Sequence, residues 1–410
     1  MHRSILFLTL LLAVSATAQQ EAGVGARALA LGNNHAALSS GVADLYWNPA
    51  ALGFSVSREF QASLYGMTLS STSEFFRTAR DESLQRFRIG NAGFSFAVPA
   101  TRGGMSFAFS YSNPVILDDV FKFHGSYELE GEEYSAERSQ RGSGNLNYWT
   151  GGFGIQVVQN LSLGLAASLV TGRESADLWY RLDCESNPDI EPVLDDYSSV
   201  RRYAGYDLRA GVLYSTKFFN AGLRFVAPQI LRYRDRLDGI YDNGSIDATD
   251  KYRIYSSYKG ALGAAVTLPF ITVSAEARST MPFGYLFPVE DLESSQASVF
   301  KNGVGVGVEV PLVALPLILR AGYSFDMLDL HPWVYDYLEP YENKRSIDWS
   351  DNGMKVNRNL HRVGAGFGIT TASTSFDLSY GFSTWGITTK SHLEQTYLRH
   401  RVLASMAVRF

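Results

Sequence analysis

The stretch KNGVGVGVEVPLVALPLILRAGYSFD, residues 301–326, holds the longest apolar run outside the N-terminal segment, around Val310 to Leu319. Pro311 and Pro316 interrupt it, and a helix needs about 20 apolar residues to cross a bilayer core of about 30 Å. Transmembrane helices are thereby excluded. The flanks of the run alternate instead. Val304, Val306 and Val308 oppose Gly303, Gly305 and Gly307, and beyond the prolines Leu315, Leu317, Leu319, Ala321, Tyr323 and Phe325 oppose Arg320, Gly322, Ser324 and Asp326. Period-two alternation describes strands with one apolar and one polar face.

The same pattern recurs on either side. Ile271, Val273, Ala275 and Ala277 oppose Thr272, Ser274, Glu276 and Arg278, and Phe376, Leu378, Tyr380 and Phe382 oppose Asp377, Ser379 and Ser383. A lysine or arginine on the lipid face of a barrel costs about 2–4 kcal/mol at the bilayer midplane, so the polar sets face a lumen. A closed barrel satisfies its backbone groups between strands and needs only half of each strand to be apolar.

Fourteen candidate strands follow residue 58, near 59–70, 91–99, 104–113, 146–159, 161–172, 200–215, 218–229, 252–268, 270–280, 299–310, 315–326, 358–370, 373–385 and 395–410. Short linkers such as Gln159-Asn160, Thr216-Lys217, Pro269 and Thr371-Ala372 alternate with long polar ones near 71–90, 114–145, 173–199, 230–251, 281–298, 327–357 and 386–394. Tight turns at one end and long loops at the other are what an outer-membrane barrel requires; a soluble sandwich has no reason to sort its loops by parity. The expected fold is all-β: a 14-stranded antiparallel transmembrane β-barrel.

Composition agrees. The 410 residues carry a formal net charge of −5, which gives no basic footprint for nucleic acid, and aromatics make up 13%. Cys184 is the one cysteine, so no internal disulfide forms. His2, His35, His124, His331, His361, His392 and His400 show no ligand spacing, and no nucleophile motif is present. No metal, cofactor or catalytic residue is expected, and the protein reads as no enzyme.

The first residues, MHRSILFLTLLLAVSATAQQ, read as a signal peptide cut after Ala18: a basic start, an apolar stretch from Ile5 to Val14 and the small residues Ala16-Thr17-Ala18. At the other end His400, Val402, Ala404, Met406 and Val408 alternate with Arg399, Arg401, Ser405, Ala407 and Arg409 up to the terminal Phe410. This ending resembles the assembly signal of Gram-negative outer-membrane barrels, which implies the barrel assembly machinery as a partner through Phe410.

Glycine on a lumen face, as at Gly303, Gly305 and Gly307 and again at Gly364, Gly366 and Gly368, marks close approach of another backbone or a ligand. Residues 19–57 are the candidate filler. Three regions result: a signal peptide (1–18), an N-terminal hatch or plug (19–57) and the barrel (58–410). Segments 25–31 and 34–39 of the plug could form short helical turns. Pro49 fixes its own φ and pushes Asn48 out of the α region, while the Asn48 side chain can bridge backbone groups on either side.

GARALALG at 25–32 followed by DLYWNPAAL at 44–52 resembles the N-terminal signature of the FadL/TodX superfamily of outer-membrane transporters, shared by its PorV-like relatives. The resemblance implies a hatch-plugged barrel of fourteen strands, with Tyr46, Trp47, Asn48, Pro49 and Ala50 as hatch or gating residues. It implies passive uptake of long-chain fatty acids or other hydrophobic compounds across the outer membrane of a Gram-negative bacterium, both termini periplasmic, with outer-membrane lipid as surroundings. The inward-facing Arg209, Arg224, Arg278 and Arg320 are candidates for meeting a carboxylate, or else pair with Asp207, Glu276, Glu309 or Asp377. Val115, Ile116, Leu117, Val120, Phe121 and Phe123 suit a capture surface in the second long loop, or else pack that loop onto the rim. The alternative function is that of the PorV-like relatives, a barrel that serves protein secretion by binding cargo, for which the aromatic loop 329–349 is suited.

Overall fold

The computed structural model describes residues 20–98, 103–129, 131–281, 300–312, 315–328, 333–339, 355–389 and 393–410. The signal-peptide segment, the linker 282–298 and most of the loop 329–349 lie outside them. In chain order the strands are β1 (Gln20–Glu21), β2 (Glu59–Phe75), β3 (Thr78–Val98), β4 (Met105–Ile116), β5 (Asp119–Leu129), β6 (Glu132–Val158) and β7 (Leu161–Cys184). There follow β8 (Val193–Ser215), β9 (Phe219–Val226), β10 (Ile230–Tyr241), β11 (Gly244–Ser256), β12 (Tyr258–Leu268) and β13 (Ile271–Met281). The last are β14 (Lys301–Leu312), β15 (Leu317–Asp326), β16 (Trp333–Glu339), β17 (Lys355–Thr370), β18 (Thr374–Thr388) and β19 (Leu393–Arg409).

The wall is the antiparallel ring β2, β3, β4, β6, β7, β8, β9, β12, β13, β14, β15, β17, β18, β19, fourteen strands that close where β19 pairs with β2 from Leu393 opposite Phe75 to Arg409 opposite Glu59. The alternating faces lie as the pattern requires: Val304 and Val306 are 56% and 52% exposed on the outside, while Gly303, Gly305 and Gly307 are buried within. The remaining five strands belong to the plug and to the long connections.

Several expected loops are strand. β2 and β3 run on through 71–90 to a two-residue turn at Phe76 and Arg77, whose φ of 43° and 71° give it a primed-turn form. β6, β7 and β8 are 27, 24 and 23 residues long, where a tilted spanning strand needs about 9–11. The wall therefore rises well beyond a membrane at its long-loop end. The hydrocarbon core does not reach that part, so its outer residues are polar and its sequence reads as loop. β5 folds back on β6 from Asp119 opposite Gly142, and the β10–β11 hairpin extends the sheet beside β8. Val115, Ile116, Leu117, Val120, Phe121 and Phe123 are all buried, Phe121 and Phe123 completely. They pack with Tyr65, Phe75, Tyr180 and Trp385 or with Leu146 and Tyr148 inside the upper barrel, which removes them as an exposed capture surface.

Candidate functional site

The lumen is filled by residues 20–57. β1 adds to β4 with Glu21 opposite Val115, and helix α1 (Ala26–Ala30) occupies the expected turn at 25–31. Segment 34–39 is not helical. The His35 and Ala36 N–H groups donate instead to Glu276 on β13, both at 2.7 Å, and Asn34 Nδ2 donates to the wall carbonyls of Val306 and Tyr323 at 3.0 and 3.2 Å. Bonds to the wall replace the local ones a helix would need. Helical geometry resumes in a 3₁₀ turn at Gly41–Ala43, in helix α2 (Asp44–Trp47) and in a second 3₁₀ segment, Pro49–Phe54.

Tyr46, Trp47, Asn48, Pro49 and Ala50 are all buried at the junction of these turns. Asn48 is extended, φ −156° and ψ 99°, as a residue before proline must be, and Pro49 opens the 3₁₀ segment. The Asn48 side chain ties two segments of the plug to the wall. Its Nδ2 donates to the Ala36 carbonyl at 2.7 Å and to the Val212 carbonyl of β8 at 3.2 Å, and its Oδ1 accepts the Ala50 N–H at 3.2 Å. Trp47 Nε1 donates to the Val24 carbonyl at 2.8 Å, and the Tyr46 hydroxyl donates to Glu21 at 2.9 Å.

Around the plug the wall is built of glycine. A Cβ on Gly322 or Gly364 would strike the backbone of Leu31 or of Leu29 and Ala30, one on Gly164 would strike Pro49 and Ala50, and one on Gly222 would strike Ala36. Gly305 abuts Asn34, Gly152 abuts Leu45 and Gly211 abuts Asn48. Plug and wall thus meet backbone to backbone at many strands, a proximity that only residues without a Cβ allow.

The four candidate arginines divide into two pairs. Arg209 is closed off: it donates to Asp207 at 2.8 Å and to the Tyr46 carbonyl at 2.7 Å, and its guanidinium lies 4.1 Å over the Tyr46 ring. Arg320 bridges Glu309, at 2.6 Å, and Asp377, and Glu309 also takes Arg27 of α1 at 2.6 and 2.8 Å. Arg224 and Arg278 line a cavity of about 180 Å³ above the plug. Arg224 lies 5.5 Å over Trp47, and no hydrogen bond or ion pair holds its guanidinium among the described residues. Arg278 reaches Asp326 at 3.1 Å, a carboxylate it shares with Arg362. Glu21 and Lys259, which pair, line the same cavity, with Val115, Leu146, Leu328 and Leu360 as its apolar side. Arg362 and Lys259 carried no special signal in the sequence, since either could face a neighbouring strand's acid.

Within the plug, burial dominates the electrostatics. It pushes the Asp44 carboxyl up to about 7 although Ser39 Oγ and the Ser40 N–H donate to it at 2.8 and 2.7 Å, and it holds the imidazole of His35 down at about 3, helped by the charge of Arg27. His35 is therefore neutral against the Ser40 hydroxyl at 2.7 Å.

The wall parts between β3 and β4. The β3–β4 ladder ends at Asn91 opposite Ser112, the β4–β6 register shifts between Ser112 and Val115, and β3 from Thr78 to Gly90 pairs with β2 alone. Pro114 has no N–H to continue the ladder; its carbonyl instead accepts the Ala22 N–H of the plug at 2.7 Å. Side chains bridge the parting: Arg88 forks onto Asp118 with both contacts at 2.6 Å, and Arg141 reaches Glu82 at 3.1 Å. Below it, an open apolar groove of about 810 Å³ runs along the outer wall past Phe94, Phe109, Trp149 and Leu208.

No family model matches the chain, and no curated protein matches it in sequence. Solved structures do. The toluene transporter TodX of P. putida superposes with a TM-score of 0.64 at 15% identity, over 95% of this chain and 99% of that one. The toluene transporter TbuX of Ralstonia pickettii gives 0.58 at 16% identity over 95% and 99%, and a FadL homologue of Pseudomonas aeruginosa 0.57 at 12% over 94% and 98%. These neighbours are transport proteins rather than enzymes, and at such identities the likeness is one of fold. The chain has the fold of the FadL/TodX-type barrels, a closed ring of fourteen strands with its own N-terminal plug.

Proposed function

We propose that the protein is an outer-membrane channel for passive uptake of hydrophobic compounds, with long-chain fatty acids among the candidates. The observation that supports this most is the pairing of a plugged lumen with a part-apolar cavity above it and a parting of the wall beside it. An open porin needs neither. The long-loop end faces outward, a solute enters the cavity between Leu328, Leu360 and Trp47, and Arg224 and Arg278 meet a carboxylate where the solute has one. β1 is the hatch element: it is two residues long, and it docks at Val115 and Ile116, beside the parting. Its release joins cavity to parting and lets the solute leave sideways into the membrane. The solved neighbours that carry toluene are consistent with an apolar cargo.

The test is uptake into vesicles that contain the purified barrel. Entry of toluene or a fluorescent long-chain fatty acid above the rate of protein-free vesicles is expected, and no increase for either overturns the reading. Deleting residues 21–54 should leave a folded barrel with raised conductance to small ions; unchanged conductance would show that the segment is not the plug.

A further inference from the structure

On the outer wall, register aligns two bands that differ in chemistry. Tyr111, Trp149, Leu169 and Tyr206 stand opposite one another across β4, β6, β7 and β8, and Trp149, Leu169 and Tyr206 are half or more exposed. This is the upper aromatic edge of the apolar belt. Four residues farther along the same strands, about 13 Å at 3.3 Å per residue, Arg173 of β7 stands opposite Arg202 of β8, Arg202 opposite Arg234 of β10, and Arg234 opposite Lys251 of β11. All four side chains are exposed, and Arg232 lies one outward position below Arg234.

Like charges directly opposite on neighbouring strands destabilise a sheet. Among the described residues nothing offsets them: no ion pair or hydrogen bond engages Arg173, Arg202 or Arg234. The acids Asp177, Asp238 and Asp247 on this face lie four residues farther out, and Asp247 is already 3.8 Å from Arg236. Lys251, at the end of the row, stands opposite Glu339 of β16, so the three arginines form its uncompensated centre. Planar guanidinium groups side by side match phosphate oxygens, each able to fork onto one group. With strands tilted by about 35–45°, the row stands about 10 Å above the aromatic edge, at the level of the polar headgroups of the outer leaflet.

We infer that Arg173, Arg202 and Arg234 bind the phosphorylated headgroup of an outer-leaflet glycolipid. The inference rests on the reading of the barrel as an outer-membrane protein with its long-loop end outward. The bound lipid offsets the repulsion along the row and ties β7, β8 and β10 together at the membrane surface.

The experiment compares the full-length barrel with the variant Arg173→Gln/Arg202→Gln/Arg234→Gln. Both are reconstituted into phosphatidylcholine vesicles doped with a fluorescent acylated glucosamine disaccharide bisphosphate, or with its dephosphorylated form. Wild-type protein is expected to bind the phosphorylated lipid more tightly than the dephosphorylated one, and the variant to lose on the order of a hundredfold in that affinity with an unchanged melting temperature. Equal binding of the two lipids by wild type, or undiminished binding by the variant, overturns the inference. Competition by inorganic phosphate at concentrations equal to those of the lipid would assign the row to a soluble anion and overturn it too. Failure of the protein to enter vesicles at all would instead strike at the outer-membrane reading, and uptake of toluene measured on the same samples keeps the two failures apart.

Discussion

Asn48 is the residue on which the plug's shape turns, because one buried amide serves three backbone groups. In Asn48→Ala the Ala36 and Val212 carbonyls lose a donor, and a buried unmet group costs about 1–3 kcal/mol. Hydrogen exchange should show residues 34–52 opening on the order of tenfold or more faster in the variant, with the wall strands unchanged. Asp44 gives the plug a dependence on pH. Its carboxyl, ordinarily near 3.8, is raised to about 7 in the folded plug, so docking is strongest below about pH 4 and weakens as pH rises through 7. Glu59 adds repulsion and Arg27 attraction, while His35 stays neutral throughout this window. Protease sensitivity of residues 20–57 should therefore increase between pH 5.5 and 8.5, values chosen about 1.5 units either side of the raised position, and Asp44→Asn should flatten the change.

At the scale of elements, the glycine faces of β7, β14, β15 and β17 set how deep the plug sits. Gly322→Val would drive a side chain into the Leu31 backbone, where no flexible group can yield. The wall should still close, and the plug should be displaced: raised ion conductance with retained heat-resistant migration on electrophoresis is the expected pair of results. The sequence made these faces legible, because Val304, Val306 and Val308 against Gly303, Gly305 and Gly307 leave little other reading, and the alternation at Ile271 to Arg278 and Phe376 to Ser383 placed the lumen correctly. It hid the strand above the membrane. Thr72, Glu74 and Asp81 look like loop because water takes the place of lipid on the outer face there, and only burial of Phe75 and Leu84 on the inner face shows the pairing. The helical turns of the plug were half legible for a related reason. At 34–39 the wall supplies the hydrogen bonds through Glu276, which lies 240 residues away from Ala36 in sequence. The arginines were found by face alone; whether each is closed off, like Arg209, or lines the cavity, like Arg224, depends on neighbours from other strands.

For the whole molecule, the two ends of the barrel wall meet at one rim. Phe410 exchanges backbone hydrogen bonds with Arg58 at 3.0 and 3.3 Å while its side chain stays 74% exposed. A ring so exposed adds little to the folded barrel, so Phe410→Ala should leave the stability of refolded protein within about 0.5 kcal/mol of wild type. The amount assembled in the cell's outer membrane should fall several-fold if an assembly machinery reads that residue; equal amounts would remove it as a signal. The seam itself carries a further consequence. β2 holds the plug through Gln61, which accepts the Ala43 N–H at 3.0 Å, and β19 holds it through Ser405, which accepts the Ala26 N–H at 2.9 Å. The first wall strand to be synthesised and the last therefore grip the same short segment from both sides of the join. The join of the cask and the hold on its cork are thus one structure: a change that loosens either of these two staves loosens the grip on the plug as well.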